Sequence, residues 1–457
     1  MTIRAYRFLL VLLLIAGTSK DARGQSKNTD AGPQDQSQIA SLGQALTNPK
    51  HLTVHILYIH GIGVDQPGAS WDFQRSLCQT FLKGCKFPKD PVPVGKPDYV
   101  GGGDFAKPDA PPFRYMGGRV WKSPEDWSAS KPFVDHYVLA RSDGGPVVVD
   151  EVNWWPLVLP LKCRKIMTGE AYLAGPDKEF LDLCSGRVKW DERYGPKPYE
   201  WIDPGDADKL KLQEARGARF NRGVKNSLMD WGFSDPMMAV GPMDELFREA
   251  MEQLFVESAR FNADGTTSND WQRQLKENTR EREFVVVSHS LGSFLVFSTL
   301  RDSVFKAKEC LTPKTEPNPP DANAAGAGSE ADGCAGSYIL ARTSIVYFLA
   351  NQVPLLQLAT MTEAQDLAAQ IEVWRNLRKD FGETHITAFS DPSDLLSWHF
   401  PKVGFTDVQN CEIRNTFWHW LIAPPYGAHV NYSKNKAVLR IMMDPKRYGA
   451  QSCAAPQ

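Results

Sequence analysis

The chain reads as an α/β protein, a mainly parallel sheet flanked by helices with a large cap-like insertion. Three observations predict this class. Short apolar, β-branched runs alternate with stretches of helical spacing from about residue 52 onward. Several of these runs are apolar almost throughout, as strands buried on both faces are. One of them, residues 283–287, stops abruptly at Ser288-His289-Ser290-Leu291-Gly292, and an apolar helical stretch follows at 293–300.

Composition sets the bounds. The 457 residues suffice for one large core with insertions, or for two domains. Lys and Arg number 52 against 54 Asp and Glu, a balance that argues against a general nucleic-acid binder. An apolar fraction of 42% is that of a globular protein.

The first 24 residues are expected to be a signal peptide. Arg4 and Arg7 precede an apolar run at 8–16, and Gly17, Thr18 and Ser19 follow. That run is too short for an ordinary membrane span. Residues 25–48 read as a polar linker, and 49–457 as a single domain. Export implies an oxidising compartment, periplasmic or extracellular, and eight cysteines are an even number. Pairing of neighbours would join Cys78–Cys85, Cys163–Cys184, Cys310–Cys334 and Cys411–Cys453. None has zinc spacing, and no metal or other cofactor is expected.

The elements follow in order. Residues 52–60 form a buried strand ending in His60-Gly61-Ile62-Gly63, and 70–82 a helix. Residues 86–132, rich in proline and glycine, open an insertion placed at about 86–146. Two strands at 134–141 and 146–155 flank Ser142-Asp143-Gly144-Gly145 as a hairpin. Residues 156–235 are irregular and aromatic, the expected cap. A helix is expected at 243–261, then the strand and helix around Ser290. Residues 312–337 read as a flexible loop tied at its base by Cys310 and Cys334. A strand at 344–350, an amphipathic helix at 363–381, strands at 385–389 and 405–413, and a last helix at 435–443 complete the chain.

Three loops at strand ends carry suitable chemistry, where open α/β sheets place their sites. The first holds Ser290 on a sharp strand-to-helix turn with small residues, Ser288 and Gly292, on either side. Such a turn lifts a serine hydroxyl above the sheet and sets the free N–H groups of a helix N-terminus behind it. The second holds Asp391 and Asp394, and the third, Tyr426-Gly427-Ala428-His429-Val430-Asn431-Tyr432, holds His429. The order Ser, Asp, His along the chain, with the nucleophile-elbow pattern, resembles the α/β-hydrolase fold superfamily over roughly residues 50–64, 145–160 and 225–445. The chain departs from that pattern at Ser288, where the family has glycine.

The resemblance implies a catalytic type. Ser290 would be the nucleophile and His429 the general base. Asp394 would orient the imidazole; it is preferred over Asp391 because apolar residues follow it, whereas Asp391 precedes Pro392 and suits a turn cap. Backbone N–H groups of Ile62 and Leu291 would bind the oxyanion, each lowering the barrier by about 3 kcal/mol. Gly61 and Gly63 would let the backbone approach the substrate, and His60 would orient that loop.

Other residues are expected to be structural. His289 is read as pointing sideways into core or cap, and His399 and His419 as packed aromatics. Asp150 and Glu151 are read as surface or ladder-end charges. The run at 154–161 is read as a buried strand end entering the cap in preference to part of an acyl-chain pocket. These expectations describe an exported serine hydrolase acting on a small-molecule or lipid-like acyl ester, with amides, thioesters and acyl transfer to an alcohol left open, without a cofactor, a nucleic-acid partner or a membrane span once the signal is cleaved. The alternative is a non-catalytic exported binding or assembly protein that keeps the fold.

Overall fold

A computed structural model describes residues 39–48, 53–62, 68–89, 91, 93–94, 98–99, 114–115, 119–120, 132–142, 144–158, 234–241, 243–277, 281–311, 334–360, 384–400, 408–415, 425–449 and 452–454. Outside them lie the expected signal peptide, most of the cap, the helix expected at 363–381, Cys163, Cys184, His419 and Gly63.

The strands are β1 (Thr53–Ile59), β2 (Asp98–Tyr99), β3 (Arg114–Tyr115), β4 (Arg119–Val120), β5 (Phe133–Leu139), β6 (Val147–Asn153), β7 (Arg282–His289), β8 (Thr343–Leu349), β9 (His385–Ser390), β10 (Val408–Glu412) and β11 (Cys453–Ala454). The helices are α1 (Leu42–Thr47), α2 (Trp71–Thr80), α3 (Ser234–Ala239), α4 (Asp244–Arg260), α5 (Asp270–Lys276), α6 (Leu291–Leu311), α7 (Ala335–Arg342), α8 (Val353–Thr360), α9 (Pro425–Val430), α10 (Lys436–Met443) and α11 (Pro445–Tyr448).

One sheet runs in the order β11-β10-β9-β8-β7-β1-β6-β5-β2, and β3 pairs with β4 apart from it. The six strands from β10 to β6 are parallel. The edges are antiparallel, with β5 and β2 on one side and β11 on the other. Successive strand side chains point to opposite faces, so a parallel strand covered on both sides must be apolar at every position. Val285 and Val287 accordingly face a core shared with Phe73 and Leu77 of α2 and Leu439 and Met442 of α10. Phe284 and Val286 face the opposite core, built with α4, α6 and α7.

The winding positions the site. From β1 the chain passes to the β2 edge and works inward through β5 to β6 beside β1, then crosses to β7 on the other side of β1 and proceeds outward to β8, β9 and β10. The direction reverses between β1 and β7, and a crevice at the carboxyl ends of the strands is expected there.

Several expectations are corrected. Residues 42–47 are not linker: Leu42, Ala45 and Leu46 are buried in the core, and Ser41 caps the helix by accepting from the Gln44 N–H. The insertion placed at about 86–146 ends before Phe133, because β5 belongs to the main sheet. The loop placed at 312–337 ends before Ala335, where α7 begins and is buried. The cap placed at 156–235 ends before Ser234, where α3 begins. Asp150 and Glu151 are fully buried rather than at the surface. His399 is exposed, not packed. Neighbouring cysteines pair as Cys78–Cys85, Cys310–Cys334 and Cys411–Cys453. No helix among the described residues is long and apolar enough to cross a membrane.

Candidate active site

Ser290 follows β7 directly and begins the turn into α6. Its φ is +54°, a left-handed conformation that costs a residue with a Cβ on the order of 1 kcal/mol or more. Packing supports that cost. The Ser290 N–H donates to the Leu349 carbonyl (2.8 Å), and the Ser293 N–H returns to the Ser290 carbonyl (3.0 Å). Gly292 lies against the end of β1, where an added Cβ would stand 2.5 Å from the His60 carbonyl oxygen and 2.7 Å from that of Ile59. Glycine is therefore required at this position. Ser288 needs no such freedom: its hydroxyl is buried against Ser293 Oγ (3.4 Å) and the Tyr347 carbonyl (3.3 Å).

The loop after β1 runs against this turn. A Cβ on Gly61 would sit 2.7 Å from Ser290 Cβ, so the two backbones are in contact. Ile62 packs at the edge of the core, and Leu291, the first residue of α6, is buried.

His429 and Asp394 complete a chain of hydrogen bonds. His429 Nε2 lies 2.8 Å from Ser290 Oγ, and His429 Nδ1 lies 3.0 Å from each Asp394 carboxylate oxygen. The carboxylate accepts only, so Nδ1 carries the proton and Nε2 is the acceptor for the serine hydroxyl. His429 is on α9, not on the loop expected there; Pro425 and Gly427 leave no helical signature in so short a segment. Asp394 also accepts from the Leu396 N–H (2.9 Å), and the Tyr432 hydroxyl stands 3.2 Å from its Oδ2.

Asp391 is elsewhere. Its oxygens accept from the Ser393 N–H (2.8 Å) and the Asn415 N–H (2.6 Å), which closes the turn after β9 and ties it to the segment after β10. It makes no hydrogen bond to His429.

Two neighbours of the site were missed in the sequence. His289 does not turn toward the core: its Nε2–H donates to the His429 carbonyl (2.8 Å), and its ring packs 5.3 Å from that of His429. Burial, with His429 adding to it, holds the His289 imidazole down at about 3, so the ring stays neutral. Tyr432 accepts from the Asp391 N–H (2.7 Å) while reaching Asp394. Burial, and then the Asp394 charge, push its phenol above the usual range, so it keeps its proton. Adjacency to the elbow was the only signal for His289, and Tyr432 had none beyond lying three residues after His429.

His60 stacks on Trp154 with ring centroids 5.1 Å apart, and its Nδ1–H donates to the Gly61 carbonyl (2.9 Å). Burial lowers its imidazole to about 4. Among the described residues, no group of three or more His, Cys, Asp and Glu is placed to hold a metal ion.

Ser290 itself is fully buried, as are Asp394 and His429 to within a few per cent of exposure. Chemically, the arrangement can move a proton from a serine hydroxyl to a neutral imidazole whose far nitrogen is held by a carboxylate. No family model matches the chain, and no curated protein or solved structure is significantly similar to it.

Proposed function

We propose that the protein is an exported serine hydrolase of the α/β-hydrolase type that cleaves a carboxylic ester through an acyl-enzyme. The observation that carries this reading is the continuous hydrogen-bonded series Ser290–His429–Asp394, at 2.8 and 3.0 Å, built from three segments far apart in the chain. The three disulfides among the described residues are in keeping with export.

In the first half-reaction Ser290 Oγ bonds to the ester carbonyl carbon as its proton passes to His429 Nε2. Asp394 holds the resulting imidazolium. The carbonyl oxygen, now an oxyanion, is stabilised by the N–H groups of Ile62 and Leu291. The C–O bond to the alcohol then breaks, and the alcohol takes the proton from His429. Water repeats the sequence on the acyl-enzyme, releasing the acid and restoring Ser290. An apolar acyl group fits the exposed Leu395 and Trp398, which stand on the loop that carries Asp394.

One observation favours a second reading, a non-catalytic binding or assembly protein on the same fold. Ser290 has no exposed surface, so a substrate reaches Oγ only after its surroundings move.

A fluorophosphonate probe separates the two. A single adduct on Ser290, located by mass and absent from Ser290→Ala, is expected, together with a loss of ester turnover of about 10⁴-fold or more in the variant. Folded protein that takes no adduct and hydrolyses no ester sinks the hydrolase reading in favour of the second.

A further inference from the structure

Glu151 on β6 and Trp154 just after it hold the chain past β1 at two places, His60 and Gly68–Ser70. At the near end Trp154, just past β6, donates its Nε1–H to the His60 carbonyl (3.1 Å), and its indole lies flat on the His60 imidazole at 5.1 Å and 13°. At the far end Glu151 accepts from the Gly68 N–H (2.6 Å), the Ser70 N–H (2.9 Å) and the Ser70 hydroxyl. Gly68 has φ +108°, and a Cβ there would strike the Trp71 ring at 2.6 Å, so the chain makes a turn at this point that glycine alone allows. Glu151 and Trp154 are fully buried.

A buried carboxylate is costly unless its oxygens are satisfied. Among the described residues, the donors to Glu151 are Gly68 and Ser70. If the sole requirement were a filled core, an apolar residue would serve β6 better. The carboxylate instead converts the entry to α2 into a fixed anchor, while Trp154 fixes the carbonyl one residue before Gly61. Gly61, the residue after that carbonyl, lies against Ser290.

We propose that Glu151 and Trp154 are positioning residues that fix the chain at Gly68–Ser70 and at His60, and so hold the Ile62 N–H where the oxyanion forms. The proposal rests on the serine-hydrolase reading of the site. Neither side chain touches the reacting atoms; both act through the loop. Preorganised donors are effective only when held in place before the reaction, and small displacements are expensive.

The test compares Glu151→Gln and Trp154→Phe with the wild-type protein. Glutamine turns one acceptor into a donor that faces a donor; phenylalanine keeps a ring on His60 but loses the N–H. Hydrogen exchange of peptides covering 60–70 should rise about tenfold or more in each, with exchange over β7 and α6 unchanged. With a p-nitrophenyl ester, kcat should fall about tenfold or more while KM holds within about twofold, and affinity for phenylboronic acid, which forms a tetrahedral adduct on serine, should fall in parallel with kcat. Unaltered exchange over 60–70 in Trp154→Phe overturns the clamp, whether or not the glutamine variant folds. Faster exchange with unchanged kcat and boronate affinity overturns the positioning role. Exchange reports on the loop without any catalysis, so an inert Ser290 would be recognised separately from a failed clamp.

Discussion

Asp391 and Asp394 stand three residues apart on one loop, and their hydrogen bonds divide the work between them. Asp394 faces His429 Nδ1 with both oxygens at 3.0 Å, while Asp391 spends its oxygens on the backbone of Ser393 and Asn415. Asp394→Asn should lower kcat/KM by about 10⁴-fold, because an amide at that place favours the wrong imidazole tautomer. Asp391→Asn should act on the fold instead, costing about 1–3 kcal/mol through its buried backbone donors, with a much smaller effect on turnover. Steady-state kinetics and urea unfolding of the two variants check this, and the reverse ranking would give Asp391 the role of orienting acid. The sequence preferred Asp394 on two grounds, of which one holds: Asp391 caps its own turn by accepting from the Ser393 N–H. The other, the apolar residues after Asp394, does not, because Leu395 is 73% exposed. The physical reason is the turn geometry, in which Asp394 comes within reach of His429 and Tyr432 while Asp391 folds back on its own loop.

The strands and the elbow were legible because their signals are local. A run such as Val285-Val286-Val287 is apolar on successive positions only if both faces are buried, and Gly292 follows from a turn that leaves 2.5 Å beside the His60 carbonyl. The buried charges of β6 were not legible, because their partners come from other strands. Asp150 accepts from His136 Nδ1–H at 2.6 Å on β5 and from His55 Nδ1–H at 3.1 Å on β1, and in isolation it reads as an exposed ladder end. Burial by itself would raise the Asp150 carboxyl; the two imidazoles outweigh it and bring the group down to about 2 from an ordinary value near 3.8. A folded-state value below the unfolded one stabilises the fold above the unfolded value, and the contribution is lost as pH falls through the folded one. Wild type should therefore exceed Asp150→Asn in unfolding free energy by about 2 kcal/mol at neutral pH. The gap should narrow from about pH 4 down to about pH 2. Urea unfolding across that range measures it, and a gap independent of pH would mean that the ionised carboxylate is not what holds the two histidines.

The candidate site exists only in the assembled sheet. Ser290 and His429 are separated by 139 residues, and His429 and Asp394 by 35. Their order along the chain was legible, whereas the bonds from His289 and Tyr432 that steady α9 and the acid depend on how segments distant in sequence meet. The Cys411–Cys453 disulfide closes a loop across 42 residues that contains α9 and α10, and it pins β11 beside β10 at the sheet edge. A crosslink stabilises mainly by restricting the unfolded chain, and in the chain-entropy model this loop contributes about 4 kcal/mol, against about 2 kcal/mol for the seven-residue span of Cys78–Cys85. Neither Cys411 nor Cys453 hydrogen-bonds to Ser290, His429 or Asp394. Replacing both with serine should thus lower unfolding free energy by a few kcal/mol, more than the same replacement at Cys78 and Cys85. Ester turnover of the protein that remains folded at low temperature should stay close to wild type. Urea midpoints and kcat of the two double variants decide the matter: equal losses of stability would count against loop closure as the cause. A selective loss of kcat in the Cys411/Cys453 variant would mean that the crosslink also sets the position of α9, and with it His429.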